Sequence, residues 1–247
     1  MEVIRLICKY DNPQFFDKYN KMERSVKGLP GAGEWNTLKS MLPDFKGKRV
    51  LDLGCGFGWH CAYAAEQGAT TVTGIDISEK MLAKAKVLTG SRNIEYHCVA
   101  IEDYEYPENS FDVVISSLTF HYVKSFDDIC AKVRRCLTTG GDFVFSVEHP
   151  IFTSQGRQEW VCDDADNLLH WPVDSYFYEG ERVARFLDED VVKYHRTLTA
   201  YLNGLLHCGF EITGFREPTP PDEMLDMPGM KDELRRPMML IISAKKK

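Results

Sequence analysis

Val50-Leu51-Asp52-Leu53-Gly54-Cys55-Gly56-Phe57-Gly58, followed by Gly74-Ile75-Asp76, is the stretch from which the rest of the chain can be read. An apolar run ends in an acid, passes into a turn with glycine at every second position, and meets a helix expected from Trp59. A second apolar run ends in another acid. Glycine lets backbone approach a ligand closely and adopt turn conformations barred to other residues. The helix behind the turn presents free N–H groups, and the second acid can hold a pair of ribose hydroxyls. The pattern predicts a nucleoside site at the carboxyl ends of parallel strands.

Spacing narrows the choice of nucleoside. A dinucleotide fingerprint requires Gly-x-Gly-x-x-Gly, its third glycine permitting close helix–strand packing. Here Gly54, Gly56 and Gly58 alternate, and Trp59 stands at the third-glycine position. Asp52 would repel a diphosphate placed beside the turn and would suit an ammonium. S-adenosylmethionine carries an amino-acid ammonium, a sulfonium and a ribose diol without phosphate, so the acid–glycine–acid order fits it. A nicotinamide-dependent oxidoreductase is disfavoured on the same grounds.

Between Phe45 and Val147 the chain resembles the class I S-adenosylmethionine-dependent methyltransferases of small-molecule type. Asp52 to Gly58 matches the family's Asp/Glu-x-Gly-x-Gly-x-Gly, and Asp76 its ribose-binding acid. Ser78-Glu79-Lys80-Met81-Leu82 matches the start of the next helix, and Asn109 to Val114 the lead-in to the fourth strand. Leu137-Thr138-Thr139-Gly140-Gly141 is similar to the family's Leu-x-Pro-Gly-Gly turn, with Thr139 in place of proline. The resemblance implies an α/β, Rossmann-like, doubly wound sheet of seven strands. They are mostly parallel, with an antiparallel last strand between the fifth and sixth and an insertion after the fifth. It implies S-adenosyl-L-methionine as cofactor, bound by Asp52, Gly54, Cys55, Gly56, Gly58, Asp76, Ile77, Met81, Ile101, Glu102 and Ser117. Ala100 stands where the family often has an adenine-contacting acid, which leaves Glu102, Asp103 or backbone groups to serve.

Composition bounds the partners. The chain has 247 residues, 44% of them apolar, enough for one large domain with an insertion. A formal net charge of −7 argues against nucleic acid, whose phosphate backbone needs clustered Lys and Arg. Lys245-Lys246-Lys247 reads as a solvated tail. No apolar run approaches the roughly 20 residues that span a bilayer, so no membrane partner is expected. Glu2, Arg5 and Lys9 interrupt the N-terminal apolar residues and exclude a secretory leader. Eight cysteines without a Cys-x-x-Cys pair point to free thiols in a reducing, cytoplasmic setting and to no metal site. The expected partner is a small-molecule acceptor, and the expected state a monomer or homodimer.

Along the chain, strands are expected at Arg49–Asp52, Thr71–Asp76, Ile94–Val99, Phe111–Ser116 and Asp142–Val147, with amphipathic helices between them. One helix runs from Trp59 to Gln67. Another is capped by Ser78 and faces Met81, Ala85 and Leu88 inward, and a third is capped by Ser125. Residues 1–44 form a helical cap, with Tyr10, Phe15, Phe16, Tyr19 and Met22 on one face and Tyr19 and Arg24 beside the methionine carboxylate. Residues 45–149 and 191–247 form the main domain. Residues 150–190 are an aromatic insertion roofing the acceptor pocket, with a hairpin turning at Glu179-Gly180-Glu181. Val191–His195, Phe210–Arg216 and Met238–Ser243 complete the strands.

Methyl transfer is an in-line displacement on an activated donor, so the protein chiefly aligns the reactants and excludes water. A base is needed only where the acceptor must lose a proton. His121, His149 and His195 are the candidates, each near a strand end, with Tyr122, Glu148 and Tyr194 as neighbours. Alternative readings are a non-catalytic S-adenosylmethionine-binding protein, favoured if Trp160 or Trp171 fills the acceptor pocket, and a methyltransferase acting on protein.

Overall fold

The computed structural model describes residues 9–90 and 93–247; the expectation that the N-terminus is no secretory leader falls largely on residues 1–8, outside that range. Three short helices come first: α1 (Pro13–Tyr19), α2 (Glu23–Lys27) and α3 (Trp35–Met41). The expected single N-terminal face is therefore split. Asn12 caps α1, its side-chain oxygen accepting from the N–H groups of Gln14 and Phe15, and Met22 is already the residue that opens α2.

Strands and helices then alternate: β1 (Arg49–Leu53), α4 (Trp59–Glu66), β2 (Thr71–Asp76), α5 (Glu79–Thr89), β3 (Ile94–Cys98), β4 (Phe111–Ser117), α6 (Phe126–Cys136) and β5 (Leu137–Glu148). The inserted segment holds α7 (Pro150–Thr153), β6 (Val161–Cys162), β7 (Leu168–His170), β8 (Gly180–Phe186) and β9 (Glu189–His195). Then come α8 (Leu198–His207), β10 (Phe210–Arg216) and β11 (Met239–Lys246). Seven strands form one sheet in the order β10-β11-β5-β4-β1-β2-β3. Neighbours among β1 to β5 are parallel, and β11 runs antiparallel to both β5 and β10.

Alternating side chains serve the two faces of the sheet. Leu51, Leu53, Val114, Phe143 and Phe145 pack with Ile129 and Val133 of α6 and Tyr201 and Leu205 of α8. Val50, Val113 and Ile115 pack with Cys61 and Ala64 of α4 and Leu82 of α5, while Val144 meets Trp35 and Leu38 of α3. This is the doubly wound arrangement. Within α5 the buried residues are Met81, Leu82, Ala85 and Thr89, so Leu88, 38% exposed, is not part of the inward face expected for it.

Two boundaries differ from expectation. β5 begins at Leu137, because the Thr-Thr-Gly-Gly segment stays in the ladder as a bulge. Leu137 pairs with Phe111 and Asp142 with Val113, and Gly140 takes a φ of 75° to accommodate the extra residues. The hairpin of the insertion is β8–β9, and it turns at Leu187-Asp188, where both φ values are positive (53° and 63°). Two consecutive left-handed residues match the right-handed strand twist, as two-residue hairpin turns require. The predicted turn at Glu179-Gly180-Glu181 instead leads into β8, and a boundary at 190 would cut a continuous hairpin.

Candidate active site

The first glycine turn is shaped by the strands beside it. The N–H groups of Gly54 and Cys55 both donate to the Ile75 carbonyl at 2.9 Å, which locks the end of β1 to β2. Gly54 has φ +75°, and a Cβ there would lie 2.3 Å from the Thr119 hydroxyl oxygen. Gly56 has φ +52°, and a Cβ there would meet nothing within 4 Å. Only Gly56 therefore keeps space open for a ligand; Gly54 is required by packing against Thr119. The Asp76 carboxylate accepts from Gly56 N at 2.9 Å and from Ser78 N at 2.8 Å. Each oxygen retains a lone pair for a further donor. Burial raises the Asp76 carboxyl to about 6, against the pull of those backbone N–H groups.

A cavity of about 450 Å³ opens at the carboxyl ends of the central strands, over Gly54, Gly56, Asp76, Ser117 and Glu148. Two segments far apart in sequence cover it. The N-terminal helices contribute Tyr10, Tyr19 and Arg24, and the β8–β9 hairpin contributes Phe186. Phe15 of α1 is buried against Ala184 and Val191 of the hairpin, and Lys18 reaches the Leu187 carbonyl and Asp188 at its turn. Asp11 ties the same segment to α5 by accepting from Ser78 Oγ at 2.6 Å and Lys80 N at 3.1 Å. The Arg24 guanidinium is held by the buried Glu34 carboxylate at 2.6 and 2.7 Å.

Comparison with known proteins agrees with this geometry. Residues 51–145 match the family described as "Methyltransferase domain". An S-adenosylmethionine dependent methyltransferase from Mesorhizobium loti is 43% identical; its crystal structure superimposes with a TM-score of 0.82, covering 89% of this chain and 100% of that one. The chain is an S-adenosylmethionine-dependent methyltransferase. A crystal structure from Listeria monocytogenes is 58% identical, with a TM-score of 0.85 and coverage of 89% and 99%. An uncharacterized protein of Haemophilus influenzae is 35% identical over 97% of both chains.

Of the residues expected at the cofactor, this methyltransferase brings Gly54, Gly56, Asp76, Ile77, Met81, Ile101, Glu102 and Ser117 to the cavity wall. Cys55 lines a smaller adjoining space of about 80 Å³, together with Tyr19, Arg24 and Trp59. Asp52 and Gly58 line neither. Gly58 faces Tyr96, whose hydroxyl oxygen would lie 2.2 Å from a Cβ. Asp52 is buried beneath the turn, accepts from Cys61 Sγ at 3.2 Å, and is raised to about 7 by burial. Any influence it has on a cofactor ammonium acts through the turn, not by a contact from the cavity wall. Among the described residues no cysteine is disulfide-bonded, and no cluster of metal-ligating side chains occurs.

The three candidate histidines separate. His121 lines the cavity, in the turn Phe120–Tyr122 that follows β4. Its Nδ1 accepts the Glu148 N–H at 3.3 Å, and burial pulls its pKa down to about 4. At neutral pH the proton therefore sits on Nε2, and the ring offers a donor to the cavity. His149 does not reach the cavity: Nδ1 accepts from Ile151 N at 3.0 Å to cap α7, and Nε2 lies 2.9 Å from Glu217. His195 is also engaged on both nitrogens, by Thr153 Oγ1 and the Tyr176 carbonyl, each at 2.8 Å. Neither lines the cavity, and each is held by bonds elsewhere in the fold.

Of the described residues of the aromatic insertion, Phe186 of the β8–β9 hairpin alone lines the cavity, and Phe152, Trp160 and Trp171 do not. Phe152 and Trp171 stack at 5.0 Å, Trp160 meets Trp171 edge-on, and the Arg236 guanidinium lies over all three rings. Cation–π attraction to the buried Arg236 guanidinium turns these rings toward the C-terminal segment instead. Four contributing residues carry no local sequence signal. Met238 and Met239 enter the cavity at the start of β11. Lys193 is buried and bonds Glu148 at 2.6 Å. Arg196 donates to the carbonyls of Phe120, Val123 and Lys124 and so fixes the His121 turn.

Proposed function

We propose that this enzyme transfers a methyl group from S-adenosylmethionine to a small-molecule acceptor. The observation that carries this reading is the covered cavity itself. Tyr10, Tyr19 and Phe186 close over a space continuous from the glycine turn to Glu148, which suits a compact acceptor better than an extended polymer. The net charge of −7 speaks in the same direction against nucleic acid. Trp160 and Trp171 pack on Arg236 and leave the cavity open, so they do not favour a non-catalytic cofactor-binding role. No helix of the described residues is long and apolar enough to cross a membrane.

The residues present fit the cofactor. Bound S-adenosylmethionine supplies a methyl group already activated on a sulfonium. Asp76 would take the ribose hydroxyls on the lone pairs its backbone donors leave unused. The open side of Gly56 admits the ligand to the turn. Met81 and Ile101 give apolar walls for the base, and Arg24, pre-oriented by Glu34, would meet the methionine carboxylate. The N-terminal helices and the hairpin exclude water. His121, a donor in its neutral form, orients the acceptor and does not take its proton.

Incubating the protein with methyl-labelled donor and a low-molecular-mass cell extract tests the assignment. Label should appear in products below the filtration cut-off. Label confined to protein or RNA fractions would overturn the small-molecule reading.

A further inference from the structure

Resting on that reading, the structure also limits the acceptor's chemistry. β2 and β5 are separated by β4 and β1, so Asp76 and Glu148 stand about three strand spacings, or ~14 Å, apart. Glu148 is thus the charged group on the β5 side of the cavity, away from the ribose acid. Its side chain is 15% exposed. Burial pushes its carboxyl up, but His121 and Lys193, with hydrogen bonds from Lys193 and Gln158, hold it below the usual range.

Both carboxylate oxygens are used once. Oε1 accepts from Lys193 Nζ at 2.6 Å, and Oε2 accepts from Gln158 Nε2 at 2.8 Å. A carboxylate only accepts, and it has about four acceptor positions, so lone pairs remain on a group that lines the cavity. Lys193 itself is buried and does not line the cavity. Beside this acceptor sits a donor: His121 Nε2 lies 3.9 Å from Glu148 Oε1. The other walls nearby, Tyr122, Phe186, Met238 and Met239, are broad and largely apolar.

We propose that Glu148 and His121 together form a subsite for a hydroxyl group, and that the acceptor is an uncharged hydroxyl compound with an apolar body. A hydroxyl donates to Glu148 and accepts from His121 Nε2–H with one oxygen, and when that oxygen is methylated its proton passes to the Glu148 carboxylate to which it already donates. A carboxylate in the same place accepts only and faces the Glu148 charge. An ammonium donates only, and the charge it would meet is already balanced by Lys193. Glu148 is accordingly a specificity-determining residue, and Lys193 and Gln158 are positioning residues that hold its carboxylate.

The test uses the full chain saturated with S-adenosylhomocysteine. Phenol, cyclohexanol, benzoate and benzylamine are titrated in turn, and binding is read by saturation-transfer NMR. A hydroxyl probe should bind at least about tenfold more tightly than benzoate or benzylamine, the difference of one hydrogen bond to a charged group. Preference for phenol identifies a phenolic acceptor, and preference for cyclohexanol an aliphatic alcohol. Glu148→Gln should weaken the preferred hydroxyl probe about tenfold and narrow its advantage over benzoate, with S-adenosylhomocysteine affinity unchanged. Should that variant fail to fold, the preference of the unaltered protein still decides. Equal binding of benzoate, or no binding of either hydroxyl probe at millimolar concentration to the loaded enzyme, overturns the proposal. Failure to take up S-adenosylhomocysteine would instead strike the cofactor assignment.

Discussion

Two glycines two residues apart should respond oppositely to the same substitution. Gly56→Ala places a methyl group in open space, at φ +52°. Its cost to the fold is the left-handed backbone alone, roughly 1–2 kcal/mol. In a domain of this size that lowers Tm by roughly 2–8 °C. The added methyl group occupies space on the cavity wall, so S-adenosylhomocysteine affinity should fall about tenfold or more. Gly54→Ala carries the same backbone cost at φ +75°, and its Cβ would lie 2.3 Å from Thr119 Oγ1 and 2.5 Å from Thr119 Cγ2. The β-branched Thr119 has little rotamer freedom to yield. Overpacking adds about 1–3 kcal/mol, giving roughly 2–5 kcal/mol in all. Thermal unfolding with and without S-adenosylhomocysteine separates the two. Gly56→Ala should be folded but weakly shifted by ligand, whereas Gly54→Ala should be markedly less stable before ligand is added. Equal stabilities, or a Gly56→Ala protein that binds as tightly as the parent, would refute the assignment of cavity and packing roles.

Two further substitutions probe the acids. Asp76→Ala removes the acceptors available to the ribose diol and should weaken S-adenosylhomocysteine by about 2–4 kcal/mol, or roughly 30- to 1000-fold, in a calorimetric titration; unchanged affinity would place the ribose elsewhere. Asp52→Asn concerns stability. Burial raises the Asp52 carboxyl from 3.8 to about 7, so between those values the folded state holds a proton that the unfolded chain releases. Stability from this residue is therefore lost as pH rises from about 4 to 7, by up to about 4 kcal/mol. Asparagine removes the penalty, so the variant should unfold at a higher temperature than the parent at pH 8 and at a similar one at pH 4. A variant less stable at pH 8 would contradict the burial argument.

The sheet was legible in sequence because every central strand is a short apolar run closed by a turn residue or an acid, and Gly54, Gly56 and Asp76 sit at register positions that local chemistry dictates. The cover was not. Nothing local in Leu187-Asp188 announces two left-handed residues, since leucine there carries no turn signature and is tolerated because Lys18 and the packing of α1 hold the hairpin. The fate of the insertion's aromatic residues depended on Arg236, over sixty residues beyond Phe152 and Trp160. His149 and His195 looked like pocket residues by their place at strand ends, but their ring nitrogens are consumed by the α7 cap, Glu217, Thr153 and Tyr176. Lys193 was hidden for a related reason: in a strand of alternating character a lysine reads as solvent-facing, and only Glu148 across the fold gives it cause to be buried.

Calorimetric titration of S-adenosylhomocysteine into the unaltered, folded protein tests the central claim most directly. Saturable binding of one molecule per chain, abolished or strongly weakened in Asp76→Ala, is the predicted result. A folded protein that takes up neither S-adenosylhomocysteine nor S-adenosylmethionine at millimolar concentration would contradict it.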